Sequence, residues 1–303
     1  MYIGIDVSRS RLDVAISDQL LQFPNTPDGI SALIARLSVD ASVVMEATGV
    51  YYRPLAYALH RAGFMVYVVN PLQVRAYARS LLSRNKTDKA DARLLARFLA
   101  QYRDQLSPYH PLPEALYLSS LLVRFAEGLV SQRAATLNRL HAWAYASPHV
   151  HQLAKSVPDT LQTLRLAFYT EALALLKAEP LIYAWFEALQ TLPGLGPISA
   201  LKVLAYSGDM RRFRSARAYA SYTGLTPRIY QSGELLPVAR ISRIGPPTLR
   251  GVYYFSALSA IRTNTPQAAL YARLVEAGKP KKLALVAVAH RLARAAWSVC
   301  VRL

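Results

Sequence analysis

At 303 residues the chain is long enough for two domains with cores of their own, and 53% apolar against 18% charged residues excludes a disordered protein. The charge is lopsided: 36 Lys and Arg face 18 Asp and Glu, and about +14 of the net +18 lies beyond residue 200. That excess favours a polyanionic partner, nucleic acid ahead of an anionic membrane surface.

A single cysteine, Cys300, excludes an internal disulfide framework and a Cys-rich zinc site, and suits a reducing cytoplasm. No signal peptide is expected. Nor is a membrane span, since no apolar run of about 20 residues is free of charges and breakers.

In chain order, residues 2–7 and 12–17 are strand-like runs joined by a short turn, the pattern of an antiparallel hairpin. A third short strand lies near residues 20–23. Asn25-Thr26-Pro27-Asp28 is a turn and helix start, with Ile30, Leu33, Ile34 and Leu37 as the apolar stripe. Residues 42–45 form a buried-type strand ending in Glu46. A helix over about 51–61 stops at Gly63, and a strand follows over 64–69. Helices over 72–80 and from the Asp88 region to about Tyr102 complete this part. Three strands followed by alternating helices and strands predict a mixed α/β sheet with helices on its faces.

Asp6 lies inside the first strand and Glu46 at the end of the fourth. Both are costly places for a carboxylate unless it is paired or bound to a metal. Asp88 and Asp91, three residues apart, project from one face of a helix, although alone the pair also reads as ordinary helix-start chemistry. An acid on strand one, an acid ending strand four and two acids on a later helix make a ribonuclease H-like arrangement for metal-dependent phosphoryl transfer. Oxygen ligands alone suit Mg²⁺ or Mn²⁺ rather than zinc. Arg84, Lys86 and Lys89 beside the helix acids read as phosphate contacts or as charge balance. Asp13, one strand over, falls on the solvent-side alternation and is expected at the surface.

Residues 108–185 are mostly helical, with a stripe through Leu116, Leu121, Phe125 and Leu129 suited to helix packing or a coiled-coil dimer interface. His110, His141, His149 and His151 lack acid or Cys partners at ligand spacing and read as structural or surface residues. Leu192-Pro193-Gly194-Leu195-Gly196 is either a helix-hairpin-helix turn, gripping a phosphate through backbone N–H groups at Gly194 and Gly196, or a plain helix connection. Arg211, Arg212, Arg214 and Arg217 follow and favour phosphate contact. Lys281 and Lys282 belong to a second basic cluster before a final amphipathic helix over about 283–301. The expected domains are 1–107 with the mixed sheet, 108–185 helical, and 186–303 basic and mostly helical.

Several motifs now carry a resemblance. Gly4-Ile5-Asp6, Glu46-Ala47-Thr48-Gly49-Val50-Tyr51, Asn70-Pro71 and Asn85-Lys86-Thr87-Asp88-Lys89-Ala90-Asp91-Ala92 come first. Leu192-Pro193-Gly194-Leu195-Gly196, Gly224-Leu225-Thr226-Pro227 and Gln231-Ser232-Gly233 follow. In this order and spacing the chain resembles transposases of the Insertion Sequence 110 family, which includes the Piv-type DNA invertases. The resemblance covers nearly the whole chain.

It implies a RuvC-like (ribonuclease H-like) N-terminal domain, a helical or coiled-coil middle and a C-terminal transposase domain. It places Asp6, Glu46, Asp88 and Asp91 on a DEDD tetrad that holds Mg²⁺, and Ser232 on a serine that forms a covalent phosphoserine with DNA. Nothing in the residues alone singles out Ser232. The resemblance further implies a recombinase acting on donor and target DNA, guided by a structured non-coding RNA. Such proteins work as homodimers or homotetramers, the serine of one protomer completing the acidic site of another, in a prokaryotic cytoplasm and on the nucleoid.

Arg228, Arg240, Arg243 and Arg250 flank Ser232 in sequence and either hold the scissile phosphate or make general backbone contacts. Gly245-Pro246-Pro247-Thr248 departs from the more polar turn expected there. Two other readings stand beside this one: a RuvC-like nuclease or resolvase in which water attacks, and a non-catalytic nucleic-acid-binding protein derived from a transposase. An ATP phosphotransferase, which opens on a similar strand, lacks its Gly-rich phosphate loops here.

Overall fold

The computed structural model describes residues 1–47, 49–81, 88–230 and 238–303, with the backbone alone at 88, 89, 228–230 and 238–240. The chain forms two compact units, Met1–Pro111 and Leu112–Leu303.

In the first unit, β1 (Tyr2–Val7), β2 (Arg11–Ile16), β3 (Gln19–Pro24), β4 (Ser42–Glu46) and β5 (Met65–Val69) form one sheet in the order β3-β2-β1-β4-β5. β2 runs antiparallel to both β1 and β3, whereas β4 is parallel to β1 and β5 parallel to β4. Parallel pairing needs a crossover. α1 (Pro27–Ile34) and α2 (Arg53–Arg61) supply one before β4 and one before β5. The Thr26 side chain caps α1 by accepting from the Gly29 N–H at 3.2 Å. Asn70 opens α3 (Pro71–Ser80) with a capping box completed by Gln73.

Strand alternation sends side chains to two faces. Ile3, Ile5, Val43 and Met45 pack with Leu33 of α1 and Leu55 and Leu59 of α2. Each such fully buried aliphatic side chain contributes about 1.5–3 kcal/mol. On the other face Val44, Tyr67 and Val69 pack with Tyr77 of α3 and with Leu95, Phe98 and Leu99 of α4 (Asp88–Tyr102). The mixed sheet with helices on its faces, expected from the order of elements, is what forms.

The second unit is mostly helical. α5 (Glu114–Ala146), α6 (Pro148–Ala154) and α7 (Val157–Lys177) precede α8 (Pro180–Gln190), α9 (Pro197–Ser207) and α10 (Ala216–Tyr222). The antiparallel strands β6 (Pro227–Tyr230) and β7 (Val238–Ile241) then lead to α11 (Pro247–Ala260), α12 (Pro266–Glu276) and α13 (Lys281–Val301). Pro246 and Pro247 begin α11, where a missing N–H costs nothing.

The sequence drew a boundary at residue 185. In the structure α8 runs through that point, and its Ile182, Trp185, Phe186 and Leu189 join one core with Tyr169 of α7, Leu204 of α9 and Tyr253 of α11. α13 is long and apolar enough to cross a membrane by length and composition. Here its Leu285, Val288, Leu292 and Ala296 lie in that same core. A chain of buried hydroxyls links three helices, with Tyr219 Oη 2.8 Å from Ser207 Oγ and 2.7 Å from Tyr253 Oη. Burial pushes both tyrosine hydroxyls up and keeps them neutral. Burial also pushes the Cys300 thiol up to about 12, so it packs as an inert apolar group.

Candidate active site

The site is built on Gly4. A Cβ at that position would overlap the Ala92 carbonyl oxygen and crowd the Ala96 nitrogen, so only glycine lets α4 lie directly on β1. Ala92 is itself fully buried in that contact. Gly4 and Asp6 are two residues apart on one strand and share a face of the sheet. On β4, Val44 packs against α4, and Glu46 is two residues further on the same face. Asp91 precedes Ala92 on α4, and Asp88 is the first residue of that helix. Three of the four acids named from sequence thus sit on two neighbouring strands and the helix laid over them, with the backbone of the fourth one turn away.

The register sharpens the picture. Asp13 of β2 stands directly opposite Asp6, and Gln22 of β3 opposite Asp13. In the parallel β1–β4 pair, one step beyond Ile5 and Met45 come Asp6 and Glu46. Gln22, Asp13, Asp6 and Glu46 therefore make one polar row across four adjacent strands.

Asp13 is not at the surface as its alternation suggested; it is 2% exposed. The expectation missed that β2 is an interior strand, between β1 and β3, with its polar-looking face on the α4 side. Burial is tolerated because Asp13 accepts hydrogen bonds from Arg11 Nε at 2.8 Å and Gln22 Nε2 at 2.7 Å. Neither Arg11 nor Gln22 was singled out from sequence; the signal was a Gln and an Arg at alternating offsets from a strand acid.

The donor set around Asp6 is carboxylate oxygen, which fits a hard divalent cation. Among the described residues no three His, Cys, Asp or Glu side chains form a group that could hold a metal. The side chain of Asp88 is not among those described.

The remaining residues named from sequence divide by location. Ser232, Arg84 and Lys86 lie outside the described residues, and Lys89 is described by backbone only, in the first turn of α4. Arg228 and Arg240 pair across β6 and β7. The base of that hairpin is tied by Ser242 N–H to the Thr226 carbonyl at 2.9 Å and Arg243 N–H to the Gly224 carbonyl at 3.2 Å. Arg250 Nη1 donates to the Gly245 carbonyl at 2.8 Å, so this guanidinium braces the chain that leaves β7.

Arg211 and Arg212 have internal partners. Arg211 Nη2 contacts Asp209 at 2.8 Å, and its guanidinium lies over the Trp185 ring. Arg212 Nε donates to the Ser207 carbonyl at 3.1 Å while its guanidinium stacks on Phe213 and Tyr222. Burial works against the Asp209 charge, but hydrogen bonds from the Arg211 side chain and backbone outweigh it and hold the carboxyl below its ordinary value. Arg214, Lys281 and Lys282 are exposed.

The glycine turn ahead of α9 faces two ways. Gly194, at φ +81°, would drive a Cβ into the Ser256 carbonyl oxygen of α11, so its role is close packing. Gly196, the N-cap of α9, has open space beside it.

Residues 3–144 match a family model described as a transposase, and residues 186–273 match the transposase family that groups the insertion sequences IS116, IS110 and IS902. The chain belongs to the Insertion Sequence 110 family of transposases, a class of DNA-cleaving and recombining enzymes. Among curated relatives, it is 28% identical to a pilin gene-inverting protein of Moraxella lacunata, over 98% of this chain and 95% of that one. It is 25% identical to the transposase for insertion sequence element IS1111A of Coxiella burnetii, over 89% of this chain and 80% of that one. Among solved structures, a Thermus thermophilus RuvC structure matches at 19% identity with a TM-score of 0.25, covering 35% of this chain and 98% of that one.

Proposed function

We propose that the chain is a site-specific DNA recombinase whose first unit is a ribonuclease H-like phosphoryl-transfer domain. The observation that carries this reading is the placement of Asp6 and Glu46 side by side on the sheet face that α4 covers, with Asp88 and Asp91 in the first turns of that helix. Like charges on neighbouring strands and an overlying helix repel unless a positive charge lies among them. Carboxylate oxygens suit Mg²⁺ or Mn²⁺ in that role. A cation held by Asp6, Glu46, Asp88 and Asp91 supplies charge neutralisation at a phosphate and favours the ionised form of a nearby hydroxyl.

Ser232 is the nucleophile in this reading. Its Oγ bonds to phosphorus as the phosphorus–oxygen bond to the deoxyribose breaks, and the serine proton is lost as the departing sugar oxygen gains one. The phosphoserine ester keeps the energy of the broken phosphodiester, so strands rejoin without ATP. The basic surface, about +14 beyond residue 200, serves to hold donor DNA, target DNA and a structured guide RNA. Exposed Phe125, Leu137, Trp143 and Tyr145 on α5 support assembly into a homodimer or homotetramer.

The test is a nicked suicide DNA substrate incubated with the purified protein and Mg²⁺. Wild type should form a covalent adduct stable to denaturant, Ser232→Ala none, and Asp6→Asn neither adduct nor cleavage. Cleavage by wild type without any adduct would replace this mechanism with attack by water. Sequencing of co-purified RNA tests the guide, since a single defined species is expected and random host RNA would remove it.

A further inference from the structure

Left-handed backbone is unfavourable for any residue that carries a Cβ, so a side chain found there needs a reason. Among the described residues other than glycine, only Ser17 and Arg243 have positive φ, at +52° and +56°. Ser17 is accounted for by its turn. It and Asp18 join β2 to β3, where Ile16 pairs with Gln19, and so short a hairpin loop requires that conformation. Arg243 has no such account, because it lies beyond β7 in the segment that leads to α11.

The contacts around Arg243 hold its backbone where it is. Its N–H donates to the Gly224 carbonyl at 3.2 Å, and the preceding Ser242 N–H donates to the Thr226 carbonyl at 2.9 Å. Ser242 Oγ accepts from the Ile244 N–H at 3.4 Å. On the other side, Gly245 lies so close to the Tyr222 carbonyl oxygen that a Cβ would overlap it. Arg250 Nη1 then ties the Gly245 carbonyl at 2.8 Å. Residues 242–246 are thus clamped between the end of α10 and the start of α11, and the clamp imposes the left-handed backbone at 243. Glycine or asparagine is the residue that such a position selects for folding. An arginine there serves something other than the backbone.

The two arginines of this segment are used differently. Arg250 is turned inward on the Gly245 carbonyl, whereas Arg243 is exposed. Residues 231–237, which join β6 to β7, include Ser232, so the clamped segment is the foot of the hairpin to which that serine belongs.

We propose that Arg243 binds a backbone phosphate of the DNA held at the β6–β7 hairpin, and that the clamp at Gly224, Gly245 and Arg250 fixes its backbone for that contact. This rests on the reading of Ser232 as the residue that attacks DNA. A guanidinium suits the role because its planar fork takes two phosphate oxygens at once. With the backbone set before DNA arrives, binding has less to order. On duplex DNA each phosphate neutralised changes the slope of log K against log salt by about 0.9.

The experiment measures binding of the full chain to a fluorescein-labelled DNA duplex across a sodium chloride series, with thermal unfolding of every variant. Arg243→Gly and Arg243→Asn remove the charge and supply residues that tolerate left-handed backbone. Both should lower the slope by about 0.9, and both should keep or raise the Tm. Arg273→Ala is the control, since Arg273 is exposed on α12.

An unchanged slope in the two Arg243 variants overturns the proposal, as does an equal drop in Arg273→Ala, which marks a general charge effect. A lowered Tm in both Arg243 variants overturns it too, because the arginine then serves the fold. The suicide-substrate assay on the same preparations separates the two claims. No adduct from wild type sinks the reading of Ser232, and with it the placing of this contact at a cleavage site. Adduct from wild type with an unchanged slope in Arg243→Gly sinks only the assignment of Arg243.

Discussion

Asp6 and Asp13 stand directly opposite each other on β1 and β2, two carboxylates on one face of the sheet. Opposed like charges are tolerated only when each is compensated. Asp13 is compensated within the strands, by Arg11 and Gln22. Asp13→Ala leaves the Arg11 and Gln22 donors facing a hole and should cost about 1–3 kcal/mol in urea unfolding. An unchanged urea midpoint in Asp13→Ala would show that these two hydrogen bonds contribute nothing to stability.

Gly4→Ala tests the contact on which the site is built. The added methyl meets backbone atoms of Ala92 and Ala96, which cannot swing aside as a side chain would. Overpacking of this kind costs about 1–3 kcal/mol. It should displace α4 and with it the acids at its start, so Mg²⁺-dependent cleavage should fall further than the loss of stability alone predicts. Full cleavage by a folded Gly4→Ala protein would separate the site from this contact.

The Asp209–Arg211 pair sets a small acid sensitivity in the second unit. The folded state holds the Asp209 carboxyl below its ordinary 3.8, so its contribution is present above that value and lost as pH falls through the depressed folded one. The pair is partly exposed, which limits the effect to about 0.2–1 kcal/mol. Melting curves of wild type and Asp209→Asn should differ at neutral pH and converge as pH falls below the depressed folded value. A constant difference across that range would assign the effect to packing over Trp185.

Tyr253→Phe should destabilise the second unit by about 1 kcal/mol. It breaks the hydroxyl chain from Ser207 through Tyr219 at its α11 end, but Tyr219 keeps its bond to Ser207. Tyr219→Phe should cost more, because it strands two buried hydroxyls. Urea midpoints in the reverse order would mean that the Ser207 contact contributes nothing.

Much of the first unit was legible in the amino-acid order. Alternation in residues 2–7 and 12–17, the Thr26-Pro27 and Asn70-Pro71 helix starts and the Gly63 stop are local signals, and local chemistry decides them. The candidate acids were legible for the same reason: Asp6 and Glu46 interrupt apolar strands, and a charge in such a place is conspicuous without any fold. Asp13 was misjudged because alternation tells which residues share a face and not whether that face is covered. Arg211 and Arg212 looked like phosphate ligands in a basic run. Their partners Asp209 and Ser207 are close in sequence, but Trp185, which lies under Arg211, is not.

The sequence by itself determined the elements, the charge asymmetry, the four acids and the family motifs, because periodicity, capping and composition act over a few residues. Only the tertiary structure decided that Gly4 is the seat of α4, that Gly194 packs inward, and that Gln22, Asp13, Asp6 and Glu46 fall in one row. Those facts depend on strand order and register, and register is set by pairings between residues far apart in the chain.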